Sequence, residues 1–336
     1  MEVNCEGCAG CCLDWRPLLE EGTYDRDRGS IRDGDGDQDP IDDDPTFVAL
    51  TRETVRTYLE QGVADALTPR LWHARDEREG VEIDGRQVAA VAGRPVFFVG
   101  LRKPPKPVAP FDLEEPSWLA TCVFLDPTTL QCRVYGGELF PEECGAYPAH
   151  TLTLEAQTEC ERVEEAFGGD RLLESAVAED LDGLLLGDTA IGEKLFCHPR
   201  PAALEGVIDR LAAGVSTTED RAEAIAVAAA SSPGTVAISE SHYDRAKARA
   251  LETMRDGVAD EDESASGGEP GASGDGASEN GSWVGPAIDE WRRRAEADGT
   301  VPDPEVASDI EDGRGAPATP GWDTVREENH RGEKRR

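Results

Sequence analysis

The hydrophobic residues of segment 1–165 are arranged in short apolar runs and in one stretch with helical spacing, and turns separate these elements. Thr51 can cap a helix that runs to Gln61. Val55, Tyr58 and Leu59 recur at helical spacing and would give this helix one apolar face. The segment therefore predicts an amphipathic helix that packs on a core.

Several strands are predicted after this helix. The dipeptide Asp84-Gly85 is a hairpin turn signal between the apolar runs 81–83 and 87–91. The other predicted strands are 96–101, 122–125 and 132–135. A single helical turn is predicted around Cys144, where Pro141 suits a first helical position.

The pattern becomes helical and rich in alanine from about residue 160 to 258. Apolar residues recur there at helical spacing, at Leu172, Leu173, Val177, Leu181, Leu184, Leu185, Val207, Ile208 and Leu211. The acidic stretch from Ala259 to Ser282 has almost no apolar residues and is predicted to be disordered. A short amphipathic helix at 286–297 is expected to follow, before a disordered end.

Together these patterns predict an α+β fold in three parts. A small cysteine-rich metal-binding domain with short strands and hairpins covers residues 1–165, with an acidic insertion at 22–45. An α-helical region covers 166–258, and a largely disordered acidic tail covers 259–336.

The candidate chemistry lies in the cysteines. Eight of the nine are candidate metal ligands: Cys5, Cys8, Cys11, Cys12, Cys122, Cys132, Cys144 and Cys160. Two cysteines separated by two residues can direct both thiolates at one ion, and this spacing occurs twice before Cys12. Adjacent cysteines such as Cys11 and Cys12 point in different directions if the chain is extended.

The spacing does not choose between zinc and an iron–sulfur cluster. Cys5, Cys8 and Cys11 match the opening of a bacterial ferredoxin run, but Trp15 stands where the fourth cysteine belongs. Four thiolates suffice for one tetrahedral zinc or one cluster. The eight thiols would make two sites, or one site with spare buried thiols.

Four cysteine motifs in order also carry a family resemblance. They are Cys5-x2-Cys8-x2-Cys11-Cys12, Cys122-x-Phe124-Leu125, Cys132-x-Val134-Tyr135 and Pro141-x2-Cys144-x2-Tyr147-Pro148. Together they resemble the zinc- or iron-chelating domain family, the YkgJ-type cysteine cluster proteins, over roughly residues 1–160. The resemblance implies a metal site of zinc or iron and no particular reaction.

The chain departs from that family at two positions near Cys144. The family usually has Arg-Pro before this cysteine, where the chain has Phe140-Pro141, and often has Arg after it, where the chain has Gly145. One branch of the family includes a flagellin lysine N-methylase. No S-adenosylmethionine loop or lysine-substrate pocket is recognisable in this sequence, so methylation is not carried over.

Other candidate ligands have simpler interpretations. The segment 33–44 resembles a calcium loop, but it lacks the glycine at the sharp turn and the final glutamate, so an acidic loop is favoured. His150 is a weaker metal candidate than the cysteines. Cys197 and His198 are predicted to be a core cysteine and a surface histidine.

The net charge of the chain argues against two classes of partner. The chain has 70 Asp and Glu against 34 Lys and Arg, which gives a net charge of −36. Nucleic acids and anionic membranes would be repelled, so neither is expected as a partner. The acidity is typical of proteins from salt-adapted cells, because concentrated salt screens the repulsion between like charges.

A cytoplasmic location is predicted. The sequence has no run of 18 apolar residues and no signal peptide before Cys5. In a reducing compartment, clustered cysteines are more often metal ligands or redox centres than structural disulfides.

Two functions therefore remain open, and neither assigns a reaction or a partner. The first is a metal-binding cysteine cluster protein, and the alternative is an iron–sulfur-dependent enzyme. A thiol–disulfide redox sensor is a third and weaker hypothesis. The sequence lacks a nucleophile elbow, a phosphate loop and a zinc-protease helix, so whether the protein is an enzyme stays undecided.

Overall fold

The computed structural model describes residues 2–19, 39–153, 156–174, 193–256, 282–297 and 300–321. Its strands are β1 (Glu2–Val3), β2 (Leu67–Leu71), β3 (Gly80–Ile83), β4 (Arg86–Val91), β5 (Arg94–Leu101), β6 (Pro105–Val108), β7 (Ser117–Ala120), β8 (Leu172–Glu174) and β9 (Phe196–Cys197). An antiparallel sheet with the order β2-β5-β4-β3 lies at the centre, and β9 also pairs with β5. β6 pairs with β7, and β1 pairs with β8.

Helices cover this sheet and continue to the C-terminal part of the described chain. They are α1 (Arg52–Glu60), α2 (Glu142–Ala146), α3 (Ala149–Thr153), α4 (Glu159–Phe167), α5 (Val207–Ala212), α6 (Thr218–Ala230), α7 (Glu240–Asp256), α8 (Val284–Ala297) and α9 (Pro304–Asp312). The predicted α+β class is confirmed. Within the described ranges, none of these helices is long and apolar enough to cross a bilayer.

The hairpin predicted at Asp84-Gly85 is confirmed. Both residues have positive φ, +52° and +77°, which is the conformation of a tight hairpin turn whose twist matches its strands. A second turn of the same kind at Ala92 and Gly93 joins β4 to β5. The two turns bring β5 into the middle of the sheet, where most of its residues are buried.

The strands predicted at 122–125 and 132–135 are wrong. The chain forms turns there, joined by one antiparallel bridge between Leu125 and Cys132. The Asp126 carboxylate accepts the backbone N–H of Thr128 at 2.9 Å and so closes the turn. The Lys106 ammonium donates to the Leu125 carbonyl at 2.7 Å, so this acceptor is used outside any strand ladder.

The helix predicted from residue 51 is confirmed as α1. The Thr51 side chain accepts the N–H of Thr54, and Val55, Tyr58 and Leu59 form the buried face. α1 packs on α6, which also contacts α7 and β2. Because α6 is surrounded by these elements, nearly all of its residues are buried, and its alanine content allows the close approach.

Part of the predicted helical region differs. The pattern that begins at Leu172 forms β8 at its start, paired with the N-terminal strand β1. Residues 175–192, which carry the next part of that pattern, lie outside the described residues, as do 22–38 of the predicted insertion and 259–281, 298–299 and 322–336 of the predicted tail. The last positions of the pattern, Val207, Ile208 and Leu211, are buried in α5.

The predictions for Cys197 and His198 have different outcomes. Cys197 in β9 is buried, as predicted. The surface position predicted for His198 is wrong, because the residue is 1% exposed and its Nε2 lies 3.1 Å from Glu223 of α6. Burial alone would raise the pKa of Glu223, but hydrogen bonds from His198, Lys247 and Tyr243 hold it well below its usual value.

One hydrophobic core runs through all three parts predicted from the sequence. It contains Leu13 and Phe124 from the first part, Ile225 from the second and Trp291 from the third. Helix α8 includes the predicted segment 286–297. Helix α9 was not predicted, and it lies in a stretch that was expected to be largely disordered.

A buried ionic cluster holds α9 in place. The Lys106 ammonium lies 2.9 Å from Glu311 of α9, and both side chains are fully buried. Arg133 donates to the other oxygen of the same carboxylate and reaches Asp312 at 2.8 Å. Lys106 also lies 4.3 Å from the centre of the Trp291 ring, a cation–π distance.

We expect Glu311→Ala to lower the free energy of unfolding by about 3–5 kcal/mol, since it leaves Lys106 and Arg133 buried without their shared counter-charge. Urea unfolding of the full chain in concentrated salt measures this. Asp312→Ala is the matched control, because Asp312 contacts the same arginine but its side chain is 58% exposed. The control should change stability by less than about 1 kcal/mol. Equal losses in the two variants would contradict this role of Glu311.

Candidate metal centre

The N-terminal cysteines lie on a tightly turned segment. Gly7 and Ala9 both have positive φ, which reverses the chain between the cysteines. The N–H of Cys8 bonds the Cys5 carbonyl at 3.1 Å, and the N–H of Cys12 bonds the Ala9 carbonyl at 2.8 Å. These turns bring the backbone of all four cysteines into one compact loop.

The last two cysteines of this loop, Cys11 and Cys12, lie in a 3₁₀ turn over Gly10–Cys12 and not in an extended chain. Their sulfur atoms are 3.8 Å apart. At this distance the two sulfur atoms are in contact with each other.

The second cysteine region is joined directly to this loop. The N–H of Cys122 bonds the Cys12 carbonyl at 2.6 Å, and Leu13 forms a bridge with Thr121. The bridge from Leu125 then brings Cys132 back towards the same place. Backbone pairing therefore gathers cysteines that are more than a hundred residues apart.

Cys144 and Tyr58 border this second region. The Tyr58 hydroxyl donates to the Leu139 carbonyl at 2.6 Å and so holds the chain just before α2, which carries Cys144. Burial raises the pKa of Tyr58, and nearby thiolate charge at Cys122 and Cys144 raises it further. The thiols whose charges act on Tyr58 thus include one from the turn at Cys122 and one from α2.

Cys160 is held against the N-terminal loop by close packing of α4. A Cβ atom at Gly10 would lie 2.6 Å from the Val163 side chain, so only glycine fits without a shift. Trp15 supports the same contact, since its indole N–H donates to Glu159 of α4 at 3.1 Å. Cys160 follows Glu159 and is therefore carried to the edge of the loop.

The thiols can be divided into two neighbouring groups by the charges that shift their pKa values. Burial raises the pKa of Cys160, and the charges of Cys11, Cys5 and Cys8 raise it further. Burial likewise raises the pKa of Cys144, and the charges of Cys122, Cys11 and Cys132 raise it further. We call Cys5, Cys8, Cys11 and Cys160 the first thiol group, and Cys12, Cys122, Cys132 and Cys144 the second thiol group.

Cys11 and Cys12 form the contact between the groups. The charge of Cys11 raises the pKa of thiols in both groups. The thiols whose charges raise the pKa of Cys12 are Cys122, Cys144 and Cys132. All nine cysteines are free thiols, and Cys5 is the one that is exposed. The first thiol group therefore reaches the surface, while the second lies deeper.

Two lysines add positive charge beside the thiols, and the sequence-based interpretation missed them. Burial raises the pKa of Cys122, while Lys106 and Lys103 act in the opposite direction. Lys103 is fixed by Asp44 at 2.6 Å and by the Thr46 carbonyl at 2.8 Å. Their signal in the sequence is that two of only five lysines in the chain fall in the short run 103–107, between the cysteine regions.

The described thiols do not converge on one point. Across the part of the chain that the structure describes, no three His, Cys, Asp or Glu side chains are arranged to hold a metal ion. The donor set still suits zinc or an iron–sulfur cluster, since each group supplies four soft thiol donors. Binding would require other side-chain rotamers at some of these cysteines.

The structure describes only part of the other candidate ligands. The side chain of His150 lies outside the described residues, as do residues 33–38 of the calcium-like segment. In the described part of that segment, Asp42 pairs with Arg70 and Asp44 with Lys103. These carboxylates already have cationic partners within the protein.

The chain belongs to a family of unknown function, DUF7531, which matches residues 1–323. The match spans the cysteine segments, α5 to α7 and the two C-terminal helices. No curated protein and no solved structure matches the chain. Since the family has no assigned activity, the function has to be argued from the site.

We expect Gly10→Ala to destabilise the protein by about 1–3 kcal/mol, because its Cβ would overlap Val163 and push α4 away from the loop. The Gly10→Ala/Val163→Ala double variant is the control, since it removes the methyl groups that clash. Urea unfolding of the four members of this cycle gives the coupling energy. An equal loss from Gly10→Ala in both backgrounds would show that the α4 contact is not the cause.

Proposed function

We propose that this protein is a metal-binding cysteine cluster protein that coordinates zinc or an iron–sulfur cluster through its two thiol groups. The observation that carries the proposal is the bond between the Cys122 N–H and the Cys12 carbonyl, at 2.6 Å. It joins the two cysteine regions, and the other six thiols of the two groups belong to the segments around the Cys11–Cys12 pair.

Electrostatics supports a bound cation. Burial, together with the charge of Cys122, raises the pKa of Cys132 to about 12. Metal binding requires thiolates, and several thiolates so close together repel one another unless a cation lies between them. Lys103 and Lys106 supply part of that positive charge from the protein itself.

The same thiols are poorly suited to a redox sensor. Reactive cysteines have lowered pKa values and lie in exposed, electropositive surroundings. Here burial raises the pKa of Cys122, Cys132 and Cys144, and none of the three is fully exposed. The reducing cytoplasm predicted from the sequence would also keep these thiols free for metal.

The arrangement predicts two sites that share the Cys11–Cys12 contact. Zinc in each group would have a closed four-thiolate shell, the usual form of a structural site. The exposed Cys5 gives the first thiol group access to solvent, so an iron–sulfur cluster there could exchange electrons with a partner.

Metal analysis and an absorption spectrum test the proposal on full-length protein purified without oxygen in concentrated salt. We expect two zinc ions per chain without visible colour, or iron with inorganic sulfide and absorbance near about 400 nm. Protein that carries neither metal, and that binds neither after reconstitution, would exclude the proposal.

Cysteine variants assign the metal to the groups. Cys132→Ser should remove the metal of the second thiol group, whereas Cys160→Ser should remove that of the first. Cys197→Ser is the matched control, because Cys197 is also a free thiol within the fold but lies in β9, outside both groups. Loss of metal in Cys197→Ser, or retention in both ligand variants, would contradict this assignment.

A further inference from the structure

A polar cavity of about 180 Å³ lies away from the thiols, between the start of α6 and the start of α8. Its charged lining residues are Asp65, Arg102, Arg221, Asp289 and Arg292. Three guanidinium groups therefore face two carboxylates. A net positive cavity is unexpected in a chain of net charge −36, so the excess of arginine needs an explanation.

The arginines are crowded and deeply placed. Arg102 is 7% exposed and Arg221 is 5% exposed. Burial, together with the neighbouring charges of Arg221 and Arg292, lowers the pKa of Arg102 to about 9. The cavity thus holds positive charge that the protein's own carboxylates do not fully offset.

The contacts of Arg221 show where a counter-charge is missing. Its Nε is buried and has no hydrogen-bond partner within the described residues. Its Nη2 lies 3.4 Å from Asp65, and Arg102 lies 3.8 Å from the same carboxylate. Both distances exceed the usual 2.7–2.9 Å of charge-assisted hydrogen bonds, so the Asp65 carboxylate satisfies neither guanidinium well. The Asp65 backbone carbonyl accepts an N–H of Arg102 at 2.8 Å, but it brings no counter-charge.

The position of Asp65 explains these long distances. A Cβ atom on Gly285 of α8 would lie 2.5 Å from the Asp65 carboxylate, so this carboxylate is pressed against the helix backbone. Burial also raises the pKa of Asp65, although Arg102 and Arg221 lower it. Asp65 is thus a constrained and weakened partner for the two arginines.

The first turn of α6 adds donors of another kind. Ser216, Thr217 and Thr218 line the cavity at the N-terminus of this 13-residue helix. A helix N-terminus favours negative charge, because its backbone dipoles point their positive ends outward. Of the two acidic residues in this turn, Asp220 is paired with Arg210 at 2.6 Å, and Glu219 is exposed and does not line the cavity.

We propose that this cavity binds one small oxyanion, either free phosphate or the phosphate group of a small phosphomonoester. Planar guanidinium groups and hydroxyls suit an anion with several acceptor oxygens better than they suit chloride. A volume of about 180 Å³ corresponds to on the order of six water molecules at about 30 Å³ each. Pockets for larger organic ligands start at about 300 Å³, so the site fits one oxyanion group and little more.

Calorimetric titration tests this on the full chain in concentrated potassium chloride, with inorganic phosphate and phenyl phosphate as separate probes. We expect saturable binding of phosphate and a rise in the melting temperature with phosphate concentration. If phosphate alone binds, the ligand is the free ion, and if phenyl phosphate binds more tightly, the ligand is a monoester. Either result supports the site.

Two variants locate the binding. Arg292→Gln should weaken it at least tenfold, and because Arg292 is only half-buried on α8, this variant should fold. Arg293→Gln is the matched control, since Arg293 is the adjacent residue on the same helix, its side chain is 64% exposed and it pairs with Glu290. Arg221→Lys keeps the charge but removes the fork of donors, and should also weaken binding.

The proposal makes no use of the thiols, so it can be separated from metal binding. Phosphate binding should be the same in the Cys132→Ser variant as in the natural protein. No saturable binding of either probe would overturn the proposal. So would binding that Arg292→Gln leaves unchanged, or a stabilisation that chloride reproduces at equal ionic strength.

Discussion

The ammonium group of Lys106 is fully buried and has to satisfy its three donors inside the protein. It does so with the carbonyls of Val123 and Leu125, at 2.8 and 2.7 Å, and with Glu311 at 2.9 Å. The first two acceptors belong to the turn that begins at Cys122, and the third belongs to α9. This one ammonium group therefore links the cysteine-bearing turn to α9. If either the turn or α9 were displaced, a buried N–H donor of Lys106 would lose its acceptor.

Sequence patterns predicted the elements whose causes are local. The cap at Thr51 and the turn at Asp84-Gly85 depend on residues close in sequence, and both elements form as expected. Helix α9 depends on Glu311 meeting Lys106, which lies 205 residues earlier in the chain. The turns after Cys122 likewise depend on that lysine, so propensity alone favoured strands there.

The cysteines show the same division between local and distant causes. Their spacing identified them as candidate ligands, but the partition into two groups depends on the backbone bond from Cys122 to Cys12 and on the packing of α4 against Gly10. The left-handed conformation of Ala9 also turns Cys11 and Cys12 towards each other, and no pattern predicts it at an alanine. The sequence could therefore name the thiols without dividing them.

The acidic composition gives the few lysines a particular role. Each of the four described lysines contacts a carboxylate: Lys103 with Asp44, Lys106 with Glu311, Lys194 with Glu143 and Lys247 with Glu223. Salt screens exposed charges strongly but buried pairs much less. Concentrated salt would therefore relieve the repulsion on the acidic surface while the internal pairs keep their attraction. The same reasoning makes the three arginines around the α6–α8 cavity unusual, because they outnumber the two carboxylates that line it with them.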